Sequence, residues 1–191
     1  MSASAPKLIL VKHSLPHINP AAPARTWLLS EAGRRRCEPL ADRLALYTPA
    51  SVITSDEPKA AETGQRVARR LNLPCRSAPG LHEHDRSAEP FRSPEAFTAS
   101  VAAFFARPDE LVFGAETADQ AHHRFARAVE QVIAHHAGQT IAVVSHGTVI
   151  TLFVSRATGL PPFLLWERLG LPSFVALTLP ALHVSDVVEA V

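Results

Sequence analysis

Two uninterrupted apolar runs far apart in the chain, Leu8-Ile9-Leu10-Val11 and Ile141-Ala142-Val143-Val144, each give way within two residues to a histidine. Four apolar residues in a row, with no alternation, fit a strand buried on both faces, as in a parallel sheet covered by helices on either side. In such open sheets, ligands bind beyond the carboxyl ends of the strands, where the strand order reverses. His13 and His146 stand at that edge. One histidine there reads as the polar end of a strand. Two imidazoles able to share one small substrate point to chemistry.

The intervening segments alternate in kind. Ser30 caps a helix carrying Leu40, Leu44 and Tyr47 at helical spacing. Ser51–Thr54 reads as a strand, and Ser55 as the cap of a helix running to about Leu71. Cys75–Ser77 is a short edge strand. Ser93-Pro94 starts a helix through Phe97, Val101, Phe104 and Phe105, and Thr117-Ala118-Asp119-Gln120 has capping-box form before a helix toward His136. Thr140–Ser145 is a strand, followed by a helix from Thr148 to near Gly159. Phe174–Leu179 closes the pattern as a strand of undetermined direction. The expected fold is α/β, a three-layer α/β/α sandwich with a mainly parallel central sheet. With 191 residues and 47 % hydrophobic content, residues 1–191 are expected to form a single domain, with an excursion at about 81–116.

The formal net charge of +1 provides no basic field for nucleic acid. No apolar run is long enough for a bilayer span or a signal-peptide core. Cys37 and Cys75 make neither a disulfide framework nor a metal-type spacing. The expectation is a cytoplasmic enzyme with no membrane or nucleic-acid partner; oligomeric state is not readable.

Basic groups gather at the strand ends: Lys12 and His13, then Lys59 in the first turn of its helix, then His146. Helix amino ends add N–H groups and positive partial charge, which suits a dianionic phosphoryl group. The glycine-rich nucleotide loop is absent, and neither metal nor cofactor is called for, because lysines and imidazolium can neutralise phosphoryl oxygens. His82-Glu83-His84-Asp85 reads as an acid loop rather than a metal site. His122-His123 and His135-His136 read as surface or lid residues, Arg34-Arg35-Arg36 as a solvated helix face, and Phe91, Phe97, Phe104 and Phe105 as core of the excursion. Trp27 and Trp166 have no assignment.

In this order the motifs resemble the histidine phosphatase superfamily, the phosphoglycerate mutase-like proteins of branch 1. Leu8–Ser14 ends Lys-His-Ser where that family has Arg-His-Gly, and Asn19 follows six residues after the histidine. Leu29-Ser30-Glu31-Ala32-Gly33, Ser55-Asp56-Glu57-Pro58-Lys59-Ala60-Ala61-Glu62-Thr63, Leu81-His82-Glu83 and Val143-Val144-Ser145-His146-Gly147 match its further elements, with Lys59 in place of arginine. The resemblance implies a phosphoglycerate mutase-like fold and a metal-independent phosphomonoesterase for a small phosphorylated metabolite. His13 would be the nucleophile that becomes phosphohistidine. Lys12, Lys59 and His146 would hold the phosphoryl oxygens, with Ser14, Asn19 and Gly147 beside them. Glu83, its pKa raised, would be the general acid and base, with Asp85 in reserve. A mutase and a non-catalytic phospho-ligand module are the alternatives. The chain has only three lysines against 16 arginines, and two of those lysines fall at these sites. That reads as a coherent variant pocket.

Overall fold

The strand edge expected to carry the site is formed by three neighbouring parallel strands in the computed structural model, which describes residues 5–191. These are β1 (Lys7–Lys12), β2 (Ser51–Thr54) and β4 (Ile141–Ser145); with β3 (Cys75–Ser77), β5 (Ser173–Thr178) and β6 (His183–Val188) they make one sheet of order β3-β2-β4-β1-β5-β6. β1 to β4 run parallel, and β5 is antiparallel to β1. Register places Val144 beside both Val11 and Thr54, so the three strands end level. The His13 N–H donates to Ser145 O at 3.0 Å and the Ser55 N–H to Val144 O at 2.9 Å, which fixes where each chain leaves the sheet.

Side chains alternate across a strand, so the central strands feed two cores. Leu8, Leu10, Ile53, Ile141, Val143, Val175 and Leu177 face α3 (Pro94–Ala106), α4 (Ala118–His135), α5 (Gly147–Thr158) and α6 (Pro162–Arg168). Ile9, Val11, Val52, Ala142, Val144, Phe174 and Ala176 face α1 (Glu31–Ala45) and α2 (Pro58–Leu71). The three layers are as expected. Ser30, Ser93 and Thr117 cap α1, α3 and α4, the last with a complete capping box.

Several expectations need correction. Ser55 does not cap α2. That helix starts at Pro58 with Glu57 in the cap position, while Ser55 Oγ accepts from the Glu57 N–H at 3.2 Å. The proline fits the first turn, where no N–H is needed. Tyr47 lies beyond the end of α1 and donates its hydroxyl to Asp186. The last apolar run is followed by β6, which pairs antiparallel with β5 around a register irregularity at Ala176/Leu177. The arginine run is not merely solvated, since Arg34 joins α1 to α2 through Glu62 at 2.7 Å and Arg36 donates to Leu171 O. Among the described residues, no helix is long and apolar enough to cross a membrane.

Glycine 33 shows why the Leu-Ser-x-x-Gly element lies near His13. A Cβ there would stand 2.0 Å from Leu15 O, so the loop after β1 rests directly on α1. Ser30 completes the contact, with both its N–H and its hydroxyl donating to Leu15 O.

Candidate active site

His13 and His146 meet at the sheet edge with ring centroids 5.2 Å apart and ring planes inclined at 65°. Ser14 O lies 2.7 Å from His13 Nδ1, which assigns the proton to that nitrogen and leaves Nε2 with its lone pair. Burial, then the charges of His146 and Lys59, push His13 well below the ordinary histidine range, so the ring is neutral. His146 is wholly buried and is likewise pushed down, first by burial and then by Lys59. Its Nε2 lies 2.9 Å from Ser55 Oγ, and its Nδ1 is buried without a partner among the described residues.

Lys12 and Lys59 flank the pair. Lys12 Nζ donates to Leu169 O at 2.6 Å, and burial lowers its pKa to about 8 despite the opposing effect of Glu83. Its stem crosses Gly147, where an added Cβ would come within 3.0 Å of Lys12 Cε. Glycine at that position makes room for the lysine. Lys59, only 6 % exposed, donates to Ala24 O at 2.8 Å and is ion-paired with Glu57.

Glu57 was missed by sequence reasoning. Its Oε1 accepts the Glu83 N–H at 2.9 Å and lies 3.6 Å from His146 Nε2, while Oε2 holds Lys59. A carboxylate just before a first-turn proline, two residues from Lys59, was the available signal.

Glu83 itself takes an unexpected position. Its carboxylate accepts N–H groups from Thr148 at 3.1 Å, Val149 at 3.2 Å and His84 at 2.9 Å, so it caps the amino end of α5. His146, in the cap position of that helix, makes no side-chain cap bond of its own. The loop holding Glu83 is tied down by Arg124, which donates to Gly80 O and His82 O, and by Ser145 Oγ donating to Leu81 O. Burial pushes the Glu83 carboxyl up, but His146 and the N–H groups of His84 and Thr148 outweigh it, and the net direction is down. This corrects the expected rise. In the unliganded pocket Glu83 is a carboxylate.

The other expected residues divide. Gly147 lines the cavity. Ser14 does not. Its hydroxyl points back to Gly33 O at 2.7 Å and its N–H to Thr63 Oγ1 at 3.0 Å, so the side chain in place of glycine is absorbed behind the site. Asn19 is absent from the lining, and its Oδ1 accepts from the Ala21 N–H while its carbonyl accepts from Trp27 Nε1 at 3.0 Å. Asp85 lines the cavity but is bonded to Ser87. His84 is packed against Phe104 and Phe113, with centroids 4.3 and 4.7 Å away.

The cavity has two lobes, of about 220 and 310 Å³, that share His13, Ala24, Lys59, Glu83 and Arg86 at their waist. The smaller is polar, with Asp56, Glu57, His82 and Asp85. The larger is walled by Trp27, Phe91, Phe97 and Trp166. Phe91, expected in the core, is 53 % exposed at this mouth, whereas Phe104 and Phe105 are buried as expected. Arg86 was also missed. Its guanidinium lies 4.4 Å from the Phe97 ring centroid and makes no hydrogen bond or ion pair within the described residues. Burial lowers the Arg86 pKa, and the nearby Glu83 and Glu57 carboxylates oppose that shift, so it stands as a half-buried cation in the cavity wall.

The family model of the histidine phosphatase superfamily (branch 1) matches residues 9–179. A metal-independent phosphoserine phosphatase of Arabidopsis thaliana is 29 % identical over 167 residues, covering 80 % of this chain and 68 % of that protein. A phosphoglycerate mutase-like protein 4 of the same plant is 30 % identical over 140 residues, covering 68 % of this chain and 60 % of its own length. A mycobacterial glucosyl-3-phosphoglycerate phosphatase superposes with a TM-score of 0.77 at 20 % identity, covering 98 % of this chain and all, 100 %, of that structure.

Proposed function

Because the chain belongs to branch 1 of the histidine phosphatase superfamily, we propose that it is a metal-independent phosphomonoesterase acting through a phosphohistidine on a small phosphorylated metabolite. One observation carries this reading. His13 is neutral, has one ring nitrogen tied to a carbonyl, and keeps the other free beside a cluster of cations.

In the first step His13 Nε2 forms a bond to phosphorus as the ester P–O bond breaks in line with it. Lys12, Lys59 and Arg86 take up charge on the equatorial oxygens, whereas His146, also expected to hold one, is buried with its ring centroid 5.2 Å from that of His13 and lines neither lobe. Arg86 brings to the pocket the planar fork that Lys12 and Lys59 lack. Glu83 gives a proton to the leaving oxygen. A dianion arriving beside it favours the protonated form. In the second step Glu83, again a carboxylate, takes a proton from water as that water attacks phosphorus, which releases inorganic phosphate and restores His13. The reading treats residues 1–191 as one catalytic unit with the segment at about 81–116 as its cap. Two unpaired cysteines, Cys37 and Cys75, suit a reducing cytoplasm.

The test needs no knowledge of the substrate. A phosphohistidine enzyme exchanges the oxygens of isotopically labelled inorganic phosphate with water, and EDTA should leave that exchange unchanged. Phosphate that binds without exchanging would point instead to a binding module.

Two further outcomes are expected. Glu83→Gln should lower kcat/KM by roughly 10²-fold for an alkyl ester, which needs the proton, and by much less for p-nitrophenyl phosphate. Equal losses on both would leave Glu83 a positioning role only. Lys12 is charged below about pH 8 and neutral above it, so the Ki of inorganic phosphate should rise as pH passes that value. The limb should be missing in Lys12→Arg, because a guanidinium keeps its proton throughout.

A further inference from the structure

We propose that the leaving group this site accepts is aromatic, so that its substrate is an aryl phosphomonoester whose ring sits among Trp27, Phe97 and Trp166 while its phosphoryl group meets His13. The inference rests on the phosphatase reading and adds the substrate class.

The larger lobe opens directly from His13, Lys12 and Gly147, so a group leaving phosphorus in that direction enters it. Trp27, Phe91, Phe97, Phe113 and Trp166 stand in its wall, beside aliphatic Ile18 and Leu171 and charged Arg86, Glu89 and Arg92. Phe97 and Trp166 lie 6.0 Å apart at a steep angle, Trp166 stacks on Phe163 behind it, and Trp27 faces Phe91 at 6.4 Å. Edge-to-face and offset arrangements of this kind favour a flat ring over a flexible chain. The Trp27 indole is anchored, since its Nε1 donates to both Asn19 O and Ala22 O at 3.0 Å. Trp166 stands on α6, itself packed against α5. These walls are held before any ligand arrives, which lowers the ordering cost of binding. The volume of about 310 Å³ is at the small end for ligand sites, enough for one ring system and not for a lipid tail.

An independent observation points the same way. Both Glu83 oxygens already accept backbone N–H groups. Protonating the carboxyl turns an acceptor into a donor and weakens that set, so the acid for the first step is poorly prepared. A phenolate leaves with little help from an acid, whereas an alkoxide depends on it. A site with a ring-lined exit and a carboxylate held as an anion matches aryl esters on both counts.

Four probes separate the ring from the leaving-group acidity: phenyl phosphate (ring, good leaving group), benzyl phosphate (ring, poor), acetyl phosphate (no ring, good) and glycerol phosphate (no ring, poor). The expected result is a lower KM for phenyl and benzyl than for their ringless counterparts, and a higher kcat for phenyl than for benzyl. Trp166→Leu and Phe97→Leu, checked for an unchanged melting temperature, should each raise the phenyl and benzyl KM by up to roughly tenfold while the acetyl phosphate KM moves far less. Equal KM for benzyl and glycerol phosphate overturns the proposal, as does a phenyl KM indifferent to both substitutions. If labelled phosphate exchanges its oxygens but phenyl phosphate is not cleaved, the aryl assignment falls and the phosphatase reading stands. If exchange is absent and none of the four compounds is cleaved faster than without enzyme, the phosphatase reading falls and takes the aryl assignment with it.

Discussion

His13→Ala is expected to lower phosphomonoester turnover by roughly 10⁴-fold or more, because no second group stands where its free Nε2 stands. His146 cannot replace it, since that ring is fully buried, is engaged through Nε2 with Ser55 Oγ, and lines neither lobe. Lys59 is bound to Glu57 and Ala24 O, and Lys12 to Leu169 O. The fold should survive, because the ring makes one hydrogen bond, to the adjacent carbonyl of Ser14. The measurement is intact mass after a rapid acid-free quench with substrate present. The parent should carry one acid-labile phosphoryl group and the variant none. A variant that still turns over esters, or still labels, would move the nucleophile elsewhere and defeat the mechanism.

The parts of this design that were readable in the sequence are those governed by local rules. Leu8–Val11 and Ile141–Val144 are apolar throughout because both faces of the central strands are covered, and the histidines after them follow from where the strands stop. Caps at Ser30, Ser93 and Thr117 are short-range contacts and were equally legible. β6 was not, because His183–Val188 is an edge strand with exposed and half-buried positions mixed along it, so its pattern lacks a buried run. Short α6 offers less than two turns of periodicity.

Side-chain direction within the site was the harder matter. Ser14 stands next to the nucleophile in sequence, yet the bend after β1 turns its hydroxyl toward Gly33. Glu83 matches a motif position, but its role as the cap of α5 depends on a contact across 65 residues that spacing does not reveal. Glu57 and Arg86 lay in plain view as charges beside motif residues. Burial marks Glu57 and a place at the waist of the cavity marks Arg86, and only packing supplies either. Trp27, Phe91 and Trp166 come from separate segments of the chain and acquire a shared meaning once they line one lobe.

The second large effect concerns the two lysines. Removing the charge of Lys59 should cost roughly 10³-fold in kcat/KM, the scale seen when a cation facing a transferring phosphoryl group is lost. Lys59→Met alone would leave the Glu57 carboxylate buried without its partner, at a cost of about 3–5 kcal/mol in stability. The informative variant is therefore Lys59→Met with Glu57→Gln, which keeps an acceptor for the Glu83 N–H. Substitution by arginine asks a different question. If the pocket were a weakened form of an arginine pocket, Lys12→Arg and Lys59→Arg would restore two forks and raise activity. The geometry argues otherwise. Lys59 is buried with Nζ fitted between Ala24 O and Glu57, and the Lys12 stem runs across Gly147 to Leu169 O. A guanidinium is wider than an ammonium and must displace one of these contacts, so each arginine variant should lose roughly tenfold in kcat/KM. Phosphate Ki and kcat/KM for the parent, both singles and the double form a mutant cycle, with the double expected to lose less than the sum of the singles because both lysines face the same phosphoryl group. A double arginine variant more active than the parent would show the lysines to be a handicap, and the pocket would then have to be read as one built for arginine.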